Sequence, residues 1–323
     1  MAKPSKKTAR LKEKLELHPR NRHKGRYDLK ALAQSNPDLA SFVIINAYGD
    51  ESIDFANPQA VKALNEALLK HYYGLDFWEI PANYLCPPIP GRVDYIHHVS
   101  DLLANLQQGV LPKGTKITCL DIGVGANCIY PIVGAHEYGW KFVGADIDPI
   151  AVASAKEIVA RNPTLTNKVD IRLQKNDSQM FEGIIAEGEK YDLTICNPPF
   201  HASLEEAQGG TIRKLSNLNK KIIDTPILNF GGQNNELWCE GGEVRFIRNM
   251  IKESKMYAES CLWFTSLVAK QEHLEPIYKT LERENALDVR TIKMGQGNKV
   301  SRVVVWTFQT YEQQKTWAKE RWV

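Results

Sequence analysis

The sequence predicts an α/β fold, an open and largely parallel sheet with helices between its strands, preceded by a small α-rich N-terminal extension. Three observations carry that expectation. From Lys116 onward, short apolar runs alternate with helical patterns, the signature of βαβ units. Three of those runs end in turns of unusual chemistry: Asp121-Ile122-Gly123-Val124-Gly125-Ala126-Asn127, Asp146-Ile147-Asp148-Pro149 and Asn197-Pro198-Pro199-Phe200. Ahead of them, capping and proline signals mark helices and a connector. In open α/β sheets the edge at the C-terminal ends of the strands is where ligands bind.

Taken in order, Asp28 to Leu39 reads as a short helix before a strand at Phe42-Val43-Ile44-Ile45. Asn57-Pro58 opens the next helix, an N-cap with proline at the first helical position, and Gly74 closes it. Pro81, Pro87, Pro88 and Pro90 predict an extended connector from Ile80 to Arg92, leading into a helix that ends near Gln108. His97 and His98 are adjacent and point apart on a helix, so packing or solvent contact is expected rather than metal ligation. Strands follow at Ile117–Leu120, Phe142–Ala145, Val169–Leu173 and Asp192–Cys196, with a helix at Ile150–Arg161. Residues 201–242, rich in Gly, Asn and Lys, read as a long loop over the site or an insertion that makes no contact. Lys293 to Arg302 separates two apolar runs and predicts a hairpin with a basic tip, Val303–Trp306 being its second strand. The expected organisation is a basic arm at 1–26, an extension at 27–100 and the sheet domain at 101–323.

Composition excludes several classes. No stretch approaches the roughly 20 apolar residues of a membrane span, and no apolar core follows the charged N-terminus, so a cytoplasmic protein is expected. Six cysteines without short paired spacings argue against zinc and disulfides. No metal is expected, and a monomer is. Net charge is +3, yet residues 1–26 carry ten lysines and arginines against two glutamates, leaving the remainder at −5. Such an arm is either a phosphate-binding tail or a solvated one.

The turns carry the chemistry. Gly123 and Gly125 let the backbone turn tightly after the first strand and a ligand approach it. Asp146, 25 residues after Asp121, ends the second strand where an acid commonly holds ribose hydroxyls. Together they indicate an adenosine-containing cofactor, but Cys128 stands where a dinucleotide fingerprint wants a third small residue. Asn197-Pro198-Pro199-Phe200 holds its carbonyls rigidly, since proline fixes φ; taken alone it also reads as a plain strand-ending turn.

Asp-x-Gly-x-Gly, an acidic second strand end and then Asn-Pro-Pro-Phe resemble the S-adenosylmethionine-dependent methyltransferases, which implies a Rossmann-like class I sheet. Leu17-His18-Pro19-Arg20-Asn21-Arg22-His23, Ile53-Asp54-Phe55, Pro90-Gly91-Arg92-Val93-Asp94-Tyr95-Ile96-His97, the Asp121 to Pro131 block and Glu240-Gly241-Gly242-Glu243 resemble the RlmF family over about Leu17 to Phe308. Those are bacterial 23S ribosomal RNA adenine N6-methyltransferases, similar to a eukaryotic small nuclear RNA adenine N6-methyltransferase. The resemblance implies that Arg92 meets the carboxylate of S-adenosylmethionine, that Asp121, Gly123 and Gly125 line its methionine end, that Asp146 holds its ribose and that Asn176 lies near its adenine. It also implies that Asn197 and Pro198 accept the target amine, with Pro199 stiffening the turn and Phe200 stacking on the base. The implied partner is 23S ribosomal RNA or a large-subunit assembly intermediate, bound by Arg20, Arg22, Lys24 and Arg26 of the arm and Lys299 and Arg302 of the hairpin. The turn motif by itself also fits a guanine N2-methyltransferase, and the arm also fits a cofactor-sensing RNA-binding module without turnover.

Overall fold

A computed structural model describes residues 16–203, 234–296 and 299–322. Helix α1 (Leu29–Ser35) is capped by Asp28, whose carboxylate accepts the Ala31 N–H at 3.0 Å, and it stops at Asn36-Pro37. A small antiparallel pair follows, β1 (Val43–Ile45) with β2 (Glu51–Ile53). Helix α2 (Pro58–Tyr73) is capped by Asn57, which accepts the Gln59 N–H at 2.9 Å, and closes on Gly74 at φ 62°. Helix α3 (Ile89–Ala104) begins inside the stretch expected to be extended. The reason is positional: Pro90 sits in the first turn, where its missing N–H has no intrahelical partner to lose. The boundary expected at residue 100 therefore falls inside one continuous helix. The larger core cluster likewise joins α2 and α3 residues to sheet residues, so extension and sheet share one interior.

Next come β3 (Thr118–Ile122), α4 (Ile129–Glu137), β4 (Lys141–Asp146), α5 (Pro149–Ala160), α6 (Pro163–Thr166), β5 (Val169–Leu173) and β6 (Tyr191–Cys196). After them lie α7 (Asn234–Leu237), α8 (Gly242–Ser254), β7 (Cys261–Val268), α9 (Leu274–Arg283), β8 (Asp288–Gln296), β9 (Lys299–Thr307) and α10 (Tyr311–Trp322). The sheet order is β5-β4-β3-β6-β7-β9-β8. The first five strands are mutually parallel, and the β8–β9 hairpin closes the sheet antiparallel to β7. The chain leaves β3 towards β4 and β5, then returns to its other side as β6. That reversal makes the β3–β6 edge the topological switch point. Alternation along β3 sends Cys119 into the larger core cluster and Leu120 into a second one on the opposite face, so helices cover both sides.

Residues 16–26 do not extend from the body. His18 donates its N–H to Asp94 Oδ1 at 2.6 Å, and the Asn21 amide donates to the Pro90 carbonyl at 2.9 Å; both residues are buried. The expected arm is thus shorter than 1–26, and residues 1–15 lie outside the described residues. All six cysteines are free. Among the described residues no helix is long and apolar enough to cross a membrane.

Candidate active site

Beyond the C-terminal ends of β3, β4 and β6 opens a cavity of about 620 Å³, within the usual size of a small-molecule site. One wall is the β3 turn. Gly123 (φ 74°) and Gly125 (φ 65°) have the left-handed backbone that lets Gly123 N and Val124 N both donate to the Ala145 carbonyl, at 2.9 and 3.0 Å. The Gly125 N–H then donates to Asp146 Oδ2 at 2.9 Å, and the Asp148 N–H donates to Oδ1 at 3.0 Å. Burial raises the Asp146 pKa above the usual carboxylate range, against those backbone donors. Asp146 lines the cavity, and a carboxylate that accepts two backbone N–H groups keeps lone pairs for ribose hydroxyls.

Asp121 sits differently from the expectation. It lies within β3, fully buried, and it is not a lining residue; neither carboxylate oxygen has a hydrogen-bond partner. Burial, and then the charge of Asp146, push its pKa well above the carboxylate range, with Arg92 opposing. The orphaned carboxyl of Asp121 lies two residues before the Gly123–Gly125 turn on the cavity wall and keeps unused acceptors for ammonium donors, and Asp146 on the wall keeps acceptors for ribose. The residues present therefore fit S-adenosylmethionine.

The second wall is the β6 turn. Asn197 and Pro199 line the cavity, while Pro198 is buried behind them. Phe200 packs against the larger core cluster and does not line the cavity, because that cluster reaches the back of the turn. The aromatic side chains on the wall are Tyr130, Trp238 and Phe246. Arg92, 9 % exposed, projects from the first turn of α3 and donates from Nη1 to Asn197 Oδ1 at 2.7 Å and to the Tyr130 hydroxyl at 3.0 Å.

A third wall joins the end of the loop expected over the site to α8, whose part the sequence does not announce. It consists of Glu236 of α7, the segment Trp238–Glu240, and Arg245, Phe246 and Asn249 of α8. The ends of the long loop meet here: His201 N donates to the Leu237 carbonyl and Cys239 N to the His201 carbonyl, both at 3.1 Å. The loop expected at 201–242 is described at its ends only, since 204–233 lie outside the described residues. The signals in the sequence are the length and composition of 201–242 and the Glu240-Gly241-Gly242-Glu243 block. Asn176 stands off the cavity. Its side chain accepts the Ser178 N–H at 3.1 Å and shapes the loop whose Gln174, Asp177, Ser178 and Gln179 do line it.

The expected phosphate ligands divide. Arg20 is bound into the protein, donating to Tyr138 Oη at 3.0 Å, to the His97 carbonyl at 3.1 Å and to Asp101 at 2.6 Å. Arg22, exposed, pairs with the half-buried Glu137 at 3.1 Å, Arg26 pairs with Asp50 at 2.5 Å at the surface, and Lys24 is exposed. Arg302 lies opposite Lys293 in the hairpin, and its Nε is buried without a partner. Lys299 opens β9 opposite Gln296, and residues 297–298 of the tip lie outside the described residues.

Comparison with known proteins agrees with this geometry. The RNA methyltransferase family model matches residues 11–310. Ribosomal RNA large subunit methyltransferase F of Cytophaga hutchinsonii is 60% identical over 95% of this chain and 95% of its own length. The enzyme of the same name from Yersinia enterocolitica is 58% identical over 96% and 93%. Among solved structures, the human Mettl16 catalytic domain in complex with MAT2A 3'UTR hairpin 1 superposes with a TM-score of 0.77 at 30% identity, covering 91% of this chain and 96% of that one. The N-terminal domain of human METTL16 in complex with SAH gives 0.72 at 28%, covering 91% and 100%. The α/β sheet is therefore a class I methyltransferase fold, its cofactor is S-adenosylmethionine, and the chain belongs to the RNA methyltransferase family.

Proposed function

We propose that the protein transfers the methyl group of S-adenosylmethionine to N6 of one adenine in 23S ribosomal RNA. The observation that carries this reading is that Asn197 lines the same cavity as Asp146 and the Gly123–Gly125 turn. When bound, the cofactor supplies a methyl carbon on a sulfonium leaving group. The protein's task is alignment. An exocyclic amine is a poor nucleophile because its lone pair is delocalised into the ring. Asn197 Oδ1 and the Pro198 carbonyl each accept one of its N–H groups, drawing the nitrogen towards tetrahedral geometry and turning the lone pair to the methyl carbon; after transfer the positively charged amine releases one of those protons to water. Trp238 supplies aromatic surface for the base, and Phe200 braces the turn from the core side. Arg22, Lys24 and Arg26 take backbone phosphates. Exposed ion pairs such as Arg26–Asp50 are worth little in water, so exchange of partner is cheap. Such a substrate places the enzyme in the cytoplasm.

Incubation with labelled cofactor and protein-free 23S ribosomal RNA, followed by digestion to nucleosides, is expected to yield N6-methyladenosine; N2-methylguanosine in its place would exclude the substrate assigned. Asn197→Ala should lower turnover by about 100-fold or more while cofactor affinity shifts by less than about 3-fold. A variant retaining full rate would leave a cofactor-sensing RNA-binding protein as the better description.

A further inference from the structure

Five asparagines in this protein are fixed by their own backbone. Asn21, Asn46, Asn57, Asn127 and Asn176 each accept the N–H of the residue two positions on, at 2.9, 2.9, 2.9, 3.1 and 3.1 Å. Asn197 cannot do so. The residue two positions on is Pro199 and the one before that is Pro198, and neither has an N–H. The turn that holds the backbone so firmly therefore leaves the amide free to rotate. Rotation by 180° replaces the acceptor Oδ1 with the donor Nδ2, which cannot receive an amine N–H.

We propose that Arg92 is the positioning residue that sets the orientation of the Asn197 amide, so that turnover depends on Arg92 even when cofactor is saturating. This rests on the reading of Asn197 as the acceptor of the target amine. A guanidinium has donors only, so it pairs with Oδ1 and repels Nδ2. Its Nη1 lies 2.7 Å from Oδ1, which keeps a second lone pair for substrate. The guanidinium is itself held, by the Tyr130 hydroxyl at 3.0 Å, and the helix carrying it is registered against the strand that carries Asn197. Tyr95 Oη of α3 meets Thr265 Oγ1 at 2.7 Å, and Thr265 Oγ1 donates to the Thr194 carbonyl at 2.5 Å, three residues before Asn197.

The test measures kcat at saturating S-adenosylmethionine, the KM for cofactor and the melting temperature, on 23S ribosomal RNA, for wild type, Arg92→Ala, Arg92→Gln and Arg92→Lys. Glutamine restores the ambiguity because it both donates and accepts; lysine is a pure donor. Arg92→Ala and Arg92→Gln are expected to lose about 30- to 100-fold in kcat, and Arg92→Lys to recover at least about 5-fold of that loss, at melting temperatures close to wild type. A raised KM with kcat within about 3-fold of wild type in Arg92→Ala would overturn the proposal and leave Arg92 as a cofactor ligand alone. Equal kcat losses in the lysine and glutamine variants would overturn it too. If wild type makes no N6-methyladenosine, the adenine reading has failed instead, and the same four-way comparison applies to whichever base it methylates.

Discussion

At the scale of single residues, two buried histidines make the protein acid-sensitive. Burial, with help from nearby Arg22, lowers His23 to about 4; burial, then the charges of His18 and Arg20, lowers His97 to about 3. Both therefore sit below the unfolded value of about 6.5. As pH falls through that value the unfolded chain takes up protons that the folded chain refuses. Stability then drops by at most about 1.4 kcal/mol per pH unit for each histidine, the loss ending near pH 4 for His23 and near pH 3 for His97. Urea midpoints should be lower at pH 5 than at pH 7, and His23→Gln should flatten that dependence whatever it does to the midpoint at pH 7. A pH-independent midpoint would contradict this placement of the rings. None of this was visible in Leu17–His23 as a string, because the partners that bury His23, Tyr27 and Tyr73, are set by tertiary packing.

At the scale of elements, packing tolerance is narrowest between α4 and β4. A Cβ on Gly134 would land on the Phe142 ring, and the surrounding core is closed. Gly134→Ala should cost about 1–3 kcal/mol, read as a lower denaturant midpoint with the same slope, although alanine is the better helix former. The elements the sequence showed most clearly are those specified locally. Asn57-Pro58 caps its helix from two residues away, and β4, β5 and β6 fall within a residue or so of their apolar runs. What stayed hidden depends on distant partners. Arg20 reads as a free cation until Asp101 is brought to it by α3, and nothing local announces that the half-buried Phe200 packs one side against the core. The start of α3 was misread because proline marks extended chain and a first helical turn equally well.

At the scale of the molecule, the C-terminal helix closes the sheet through one buried charge. Asp192 Oδ1 accepts the indole N–H groups of Trp317 and Trp322 at 2.8 and 2.7 Å and the Arg321 Nε–H at 3.0 Å, while Oδ2 accepts the Thr118 N–H at 2.7 Å. Asp192→Ala would strand these donors together and should cost about 3–5 kcal/mol, seen as a fall in the unfolding midpoint or in soluble yield. Asp192 is the second residue of β6, the strand whose other end delivers Asn197. The last helix and the turn at Asn197 are thus tied to opposite ends of one strand, so loosening the helix is felt along the whole length of β6.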